Sequence, residues 1–337
     1  MLDPSRTPGE HRQAAQEWCA WGLDLLGLDE DELATRPDAF SADSRLQTGK
    51  AISPLGAMRC VREYKRTAVF LQAMDAALQS ARKRFPGERI HVLEAGCGPL
   101  APLALPFALR NSPDEVTFTL LDLHPIALEG ARRVAGELGV SESVRAFLAA
   151  DATAIRFSDH DRPHVIACEV LLRALTREPQ VAATMNLAPQ LRSGGFFLPE
   201  RIDVDAGLFD HARWHRTLTN AVKDGEEGLP SIRELGTVFS LDAYAADKLQ
   251  PRGDGRLAAA SVRIPPHDPD RTPLQLFTRI QVFGEHRLGD FDSSLNLPER
   301  VKHPAALGAA GGVAEFHYEV SAEPGLRLAF RKRDPCS

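Results

Sequence analysis

Hydrophobic residues follow three different rhythms along the chain. Over residues 8–35 they recur at spacings of three and four (Trp18, Trp21, Leu25, Leu28), which predicts a helix, with the tryptophans read as core packing. Residues 36–56 carry Pro37, Gly49, Pro54 and Gly56 among polar residues and predict a loop. A longer helix is predicted over 57–85, ending before Pro86-Gly87. From Arg89 to Leu198 the pattern alternates. Strands are predicted at 89–94, 116–122, 144–149, 164–168 and 195–198, and helices at 100–110, 125–138 and 179–192. That alternation implies parallel strands joined by crossovers. After Arg201 short apolar runs (202–209, 235–240, 257–264, 275–283, 313–320, 326–331) are separated by Pro, Gly and Asp turns, with a polar excursion over 210–233. Three parts are expected: a helical cap over 1–88, an α/β unit over 89–200 and a β-rich part over 201–337.

Composition mainly removes alternatives. The 337 residues carry a net charge of −6 and 43% hydrophobic residues, so no global attraction to nucleic acid is expected. No run approaches the roughly 20 apolar residues of a membrane span, and Met1–Glu10 is polar and proline-bearing, unlike a secretory signal. Five scattered cysteines without a Cys-x-x-Cys pair argue against structural disulfides or zinc, and the histidines lack ligand-like spacing. The expectation is a cytoplasmic protein with no metal, no nucleic acid and no membrane partner.

The densest chemical signal is His91-Val-Leu-Glu94-Ala-Gly96-Cys-Gly98-Pro-Leu100. An apolar strand runs into an acid, then into two glycines that let the backbone turn sharply and approach a ligand. A second strand, 117–122, ends in Asp122, 24 residues after Gly98, where such folds hold ribose hydroxyls. The third glycine that admits a pyrophosphate is missing. A ligand with adenosine and no phosphates fits better, and S-adenosylmethionine is the common one. Asp151 ends the third strand, where it reads equally as an adenine contact or a helix N-cap; Leu123 and Ala152 flank the two acids. Glu169 closes the fourth strand, at the edge where open α/β sheets place active-site groups. Glu178 follows nine residues later; alone it reads as an exposed helix-start residue before Pro179, and together with Glu169 as half of a carboxylate pair. On the helix 57–85, Glu63, Arg66, Phe70 and Met74 share one face.

Together these residues resemble the arginine methyltransferase family of S-adenosylmethionine enzymes, over roughly residues 57–205. The family's helix pattern Met-x-x-Asp-x-x-Arg-Thr-x-x-Tyr-x-x-x-Met is met by Cys60, Glu63, Arg66, Thr67, Phe70 and Met74. Its Val-Leu-Asp-Val-Gly-x-Gly motif corresponds to Val92–Gly98, and its ribose-binding acid to Asp122. Its two glutamates, nine apart in a Ser-Glu-Trp…Glu loop, correspond to Glu169 and Glu178, and its Gly-x-x-x-Pro-x-Arg segment to Gly195–Arg201. The resemblance implies a Rossmann-like class I methyltransferase core with a helical N-terminal cap and a β-rich, barrel-like C-terminal domain. It implies S-adenosyl-L-methionine on Arg66, Glu94, Gly96, Gly98, Asp122, Leu123, Asp151, Ala152 and Glu169, with Arg66 binding the methionine carboxylate. Glu169 and Glu178 would grip a substrate guanidinium, and a homodimer is expected.

The chain also departs from the family. Val170 replaces the aromatic after the first glutamate, and the ribose acid is Asp instead of Glu. The Tyr-Phe-x-x-Tyr segment of protein-modifying members is absent. In place of the Thr-His-Trp loop the nearest candidate is Gly284-Glu285-His286-Arg287, which nominates His286 for the substrate. These departures favour a divergent, bacterial-style member acting on free L-arginine or a similar small guanidine. The alternatives are an O- or C-methyltransferase of another metabolite using Glu169 as general base, arginine methylation of a protein or peptide, and a cofactor-binding subunit without activity.

Overall fold

The computed structural model describes residues 1–3, 5–35, 38–219, 231–301 and 310–332; Cys336 and part of the 210–233 excursion lie outside them. The chain begins with α1 (Pro8–Leu26), α2 (Glu30–Thr35), the strands β1 (Ser44–Leu46) and β2 (Gly49–Ala51), α3 (Pro54–Cys60) and α4 (Tyr64–Arg84). Both expected long helices are interrupted. Gly27 takes a left-handed conformation and ends α1, its N–H bonding back to Asp24 O and that of Leu28 to Leu23 O. At the start Thr7 and Glu10 form a capping box ahead of Pro8. The expected helix 57–85 breaks at Val61–Glu63, where three successive turn bonds replace the helical pattern and the Thr67 hydroxyl donates to Val61 O at 3.0 Å. The break makes Glu63 the cap of α4 and puts Arg66 in its first turn. The expected loop 36–56 contains the β1–β2 antiparallel hairpin.

The middle of the chain is β3 (Ile90–Ala95), α5 (Leu105–Ala108), β4 (Val116–Asp122), α6 (Pro125–Glu137), β5 (Val144–Ala149), β6 (Val165–Cys168), α7 (Gln180–Leu187) and β7 (Phe196–Leu198). Its five strands form a parallel sheet in the order β5-β4-β3-β6-β7. Every residue of β3, β4 and β6 is buried, as expected for strands covered on both faces. The expected helix 100–110 shrinks to one turn because left-handed Ala101 and Pro102 interrupt it.

The remainder comprises β8 (Arg201–Phe209), α8 (His211–Leu218), β9 (Ile232–Asp242), β10 (Arg256–Ile264), β11 (Leu274–Phe283), β12 (His286–Leu288), β13 (Glu299–Arg300), β14 (Gly312–Glu319) and β15 (Gly325–Lys332). They build two antiparallel sheets, β12-β11-β8-β9 with β13 beside β11, and β10-β14-β15. One continuous apolar core joins α1 and α4, one face of the parallel sheet and the antiparallel sheets through residues such as Met74, Phe118, Leu198, Val204 and Tyr318. Among the described residues no helix is long and apolar enough to cross a membrane.

Candidate functional site

Register places the candidate residues in a row. Ala95 pairs with Cys168 and with Leu121, and Asp122 pairs with Ala149. The residues that follow these pairs, Gly96, Glu169 and Asp151, therefore emerge beside Asp122 at the carboxyl ends of β3, β6, β5 and β4. Gly96 N donates to Leu121 O at 2.8 Å and Glu169 N to Ala95 O at 3.3 Å. The chain leaves β3 for one side of the sheet and β6 lies on the other, the topology that opens a ligand crevice.

A cavity of about 360 Å³ occupies that crevice. Arg66, Gly96, Gly98, Asp122, Leu123, Asp151, Ala152, Glu169 and Glu178 all line it. Gly96 and Gly98 have φ of 78° and 58°, a region that favours glycine. A Cβ on Gly96 would stand 2.6 Å from Val170 Cγ1, and one on Gly98 2.9 Å from Ala57 Cβ, so both must lack side chains. Asp122 holds the turn: Oδ2 accepts from Gly98 N and Oδ1 from His124 N, both at 2.9 Å. Asp151 lines the cavity, and its Oδ1 accepts from Thr153 N at 2.7 Å in a turn that no helix follows, so it is not the N-cap of a helix.

Two predicted residues are not on the cavity wall. Glu94 is buried beneath it, where Oε1 accepts from Leu103 N at 3.1 Å and Oε2 has no hydrogen-bond partner among the described residues. It holds the segment after the glycine turn through Leu103 and is not part of the lining. His286 opens β12 in a hairpin with β11 and is likewise absent from the lining. The turn between β12 and β13 instead contributes Ser294 and Leu295. Ser294 donates to Glu63 through its backbone N at 2.7 Å and its hydroxyl at 2.8 Å.

Arg66 is the electrostatic centre. Only 7% exposed, it pairs with Glu63 at 3.2 Å and, more closely, with Glu169. Burial disfavours its charge, but Glu169 leads the neighbours that outweigh burial and hold the guanidinium protonated. Glu169 Oε1 is buried with no hydrogen-bond partner among the described residues. Glu178 is 7% exposed, so the exposed helix-start reading does not hold. Burial pushes its carboxyl up to about 8, Glu169 adds to the rise, and Arg66 and Lys50 oppose it.

The segment between the two glutamates folds back under strain. Ala174, Leu175 and Arg177 all have positive φ, each costing on the order of 1–3 kcal/mol. Its neighbours hold it in place. Gln180 staples the start, accepting from Val170 N at 3.0 Å and donating to Cys168 O at 3.1 Å. Ala174 N donates to Thr278 Oγ1 and the Tyr318 hydroxyl to Leu175 O, both at 2.7 Å. Lys50 N of the hairpin donates to Arg177 O at 2.7 Å. Ser294, the hairpin and this buttress escaped the sequence because each is joined to the site across long separations with no local pattern.

No protein-family model matches the chain, and no curated protein matches it. Solved structures do. The PRMT1 enzyme–prozyme heterotetrameric complex of Trypanosoma brucei with AdoHcy aligns at 12% identity and a TM-score of 0.51, over 83% of this chain and 94% of that one. Protein arginine methyltransferase 10 of Arabidopsis thaliana aligns at 11% identity and a TM-score of 0.46, over 79% and 97%. The first likeness establishes an arginine methyltransferase-like fold, with a Rossmann-like core and an antiparallel β-rich C-terminal region.

Proposed function

We propose that this chain is an S-adenosylmethionine-dependent N-methyltransferase that acts on a guanidino group, with free L-arginine as the acceptor. The observation that carries the reading is the meeting of two carboxylates in one cavity, buried Glu178 and half-buried Glu169, whose Oε1 has no hydrogen-bond partner among the described residues. The structural neighbour from Trypanosoma brucei, a complex with AdoHcy, supports the cofactor assignment.

The cavity fits that cofactor on its own terms. The side-chain-free turn at Gly96 and Gly98 admits a ligand against the backbone, and Asp122 offers acceptors for ribose hydroxyls. Asp151, Leu123 and Ala152 would flank the adenine. Arg66 uses one N–H on Glu63 and one on Glu169, which leaves donors of its five for a methionine carboxylate. When bound, the cofactor supplies an electrophilic methyl group.

The chain's residues prepare the acceptor. A guanidinium is a poor nucleophile because its lone pairs are delocalised, and its pKa lies above about 12. Glu169 and Glu178 engage its N–H donors, fix its plane and draw charge from the attacking nitrogen. They also neutralise a cation that must approach a sulfonium. A guanidinium set against Glu178 would oppose the rise that burial and Glu169 impose on its carboxyl, and so favour the ionised form that grips the cation. We also propose the division into 1–88, 89–200 and 201–337, and a homodimeric, cytoplasmic enzyme.

The test uses Glu169→Gln and Glu178→Gln with methyl-labelled cofactor and mass spectrometry. Each variant should keep S-adenosylhomocysteine affinity within a few-fold and lose most L-arginine turnover, on the order of a hundredfold or more, as expected when a buried charge-assisted contact is removed. An O-methyltransferase using Glu169 as base would lose activity in the first variant and tolerate the second. Wild-type protein that ignores every guanidine and methylates another acceptor would refute the clamp.

A further inference from the structure

Asp43 and Lys50 take no part in the chemistry above, yet the first is on the wall of its cavity and the second is ion-paired to it. Asp43 lines the same cavity as Glu178. Its Oδ2 accepts from Lys50 Nζ at 2.6 Å and its Oδ1 from Ser53 N at 2.8 Å. Their side chains are 43% and 36% exposed, so both are open to solvent and to a ligand. The hairpin carrying Lys50 meets the Glu178 segment backbone to backbone. Lys50 N bonds to Arg177 O, and a Cβ on Gly49 would stand 2.7 Å from that oxygen and 3.2 Å from the Glu178 carbonyl carbon. A surface ion pair alone adds only about 0–1 kcal/mol of stability. This one is placed beside the acceptor carboxylate by a hairpin with a specific seat. Burial opposes ionisation of Asp43, but Lys50 and Ser53 outweigh it and hold its carboxyl below the ordinary value.

Resting on the guanidino reading above, we propose that Asp43 and Lys50 recognise the α-ammonium and α-carboxylate of a free guanidino amino acid whose guanidinium lies on Glu169 and Glu178. The two charges are complementary to a zwitterion, and an arginine inside a polypeptide carries neither of them. The hairpin's seat on Arg177 and Glu178 holds the pair close to the Glu178 segment, with Asp43 on the cavity wall. Lys50 and Asp43 are specificity-determining residues; the reacting nitrogen is held elsewhere.

The experiment compares kcat/KM for L-arginine, agmatine (no carboxylate), Nα-acetyl-L-arginine (no ammonium) and an arginyl peptide. Wild-type protein should prefer L-arginine over each by at least about tenfold, the worth of one charged hydrogen bond. Lys50→Gln should lower the L-arginine to agmatine ratio about tenfold, and Lys50→Arg should restore it. Asp43→Asn should erode the preference over the acetylated acceptor; if it fails to fold, the lysine variants and the wild-type panel decide. Equal use of L-arginine and agmatine or peptide by wild-type protein would overturn the inference. So would a Lys50→Gln variant that slows both acceptors alike. Either result leaves the guanidino reading standing, whereas wild-type protein inactive on every guanidine overturns both.

Discussion

Burial pushes the Glu94 carboxyl up to about 8, with Leu103 N–H pulling the other way and the Asp122 and Glu169 charges adding to the rise. Between the ordinary carboxylate range and about 8 the folded chain therefore binds a proton that the unfolded chain has released. Stability must fall as pH rises through that window and level off above it. Glu94→Gln keeps an acceptor for Leu103 and removes the titration. The melting temperature of the variant should drop less between pH 6 and pH 9 than that of the wild type, with Glu178 accounting for the slope that remains. Parallel pH–melting curves would mean that Glu94 is not the titrating group. The sequence made Glu94 visible as the acid before the glycine turn. It gave no sign that the side chain points beneath the cavity, because β3 is buried on both faces and alternation carries no information there. Asp122, Asp151 and Glu169 were placed correctly at strand ends because the parallel register brings strand ends together.

At the scale of elements, the segment from Leu172 to Glu178 explains why a β-rich region is attached to a cofactor fold. Three left-handed residues hold Glu178 in the cavity, and the antiparallel sheets anchor them through Thr278 and Tyr318. Thr278 is fully buried. Thr278→Val keeps the shape and strands the Ala174 N–H, at a cost of roughly 1–3 kcal/mol. Urea unfolding should register that loss, and limited proteolysis should cut faster within 171–178. L-arginine turnover should fall further than S-adenosylhomocysteine affinity, since the damage lies on the acceptor side. Equal loss of both would show that the segment does not move independently of the cofactor half. Strand positions were legible here, but helix lengths were not. Gly27 and the Val61–Glu63 turn end helices that periodicity alone would continue, Ala101 delays the start of another, and a three-residue strand such as β1 is too short to alternate visibly.

Across the whole molecule, Arg66 joins elements far apart in the sequence. It belongs to α4, pairs with Glu169 at the end of β6, and reaches the C-terminal sheets through Glu63 and Ser294. Asn296, two residues on and fully buried, ties that segment to Thr278 O at 2.7 Å on β11. A ligand that engages Arg66 therefore acts on a chain of contacts running from the N-terminal helices to β11. Binding that is specific to the folded chain stabilises it by about 2.7 kcal/mol at a hundredfold excess over Kd. Hydrogen exchange can show where that stabilisation goes. S-adenosylhomocysteine should slow exchange not only over 94–104 and 122–124 but also over 290–296 and the middle of β11. Ser294→Ala removes one of the two bonds to Glu63 and should weaken the distant protection while the glycine turn stays protected. Protection that ends at β7 in the wild-type protein would mean that the antiparallel sheets hold the acceptor loop and take no part in sensing the cofactor.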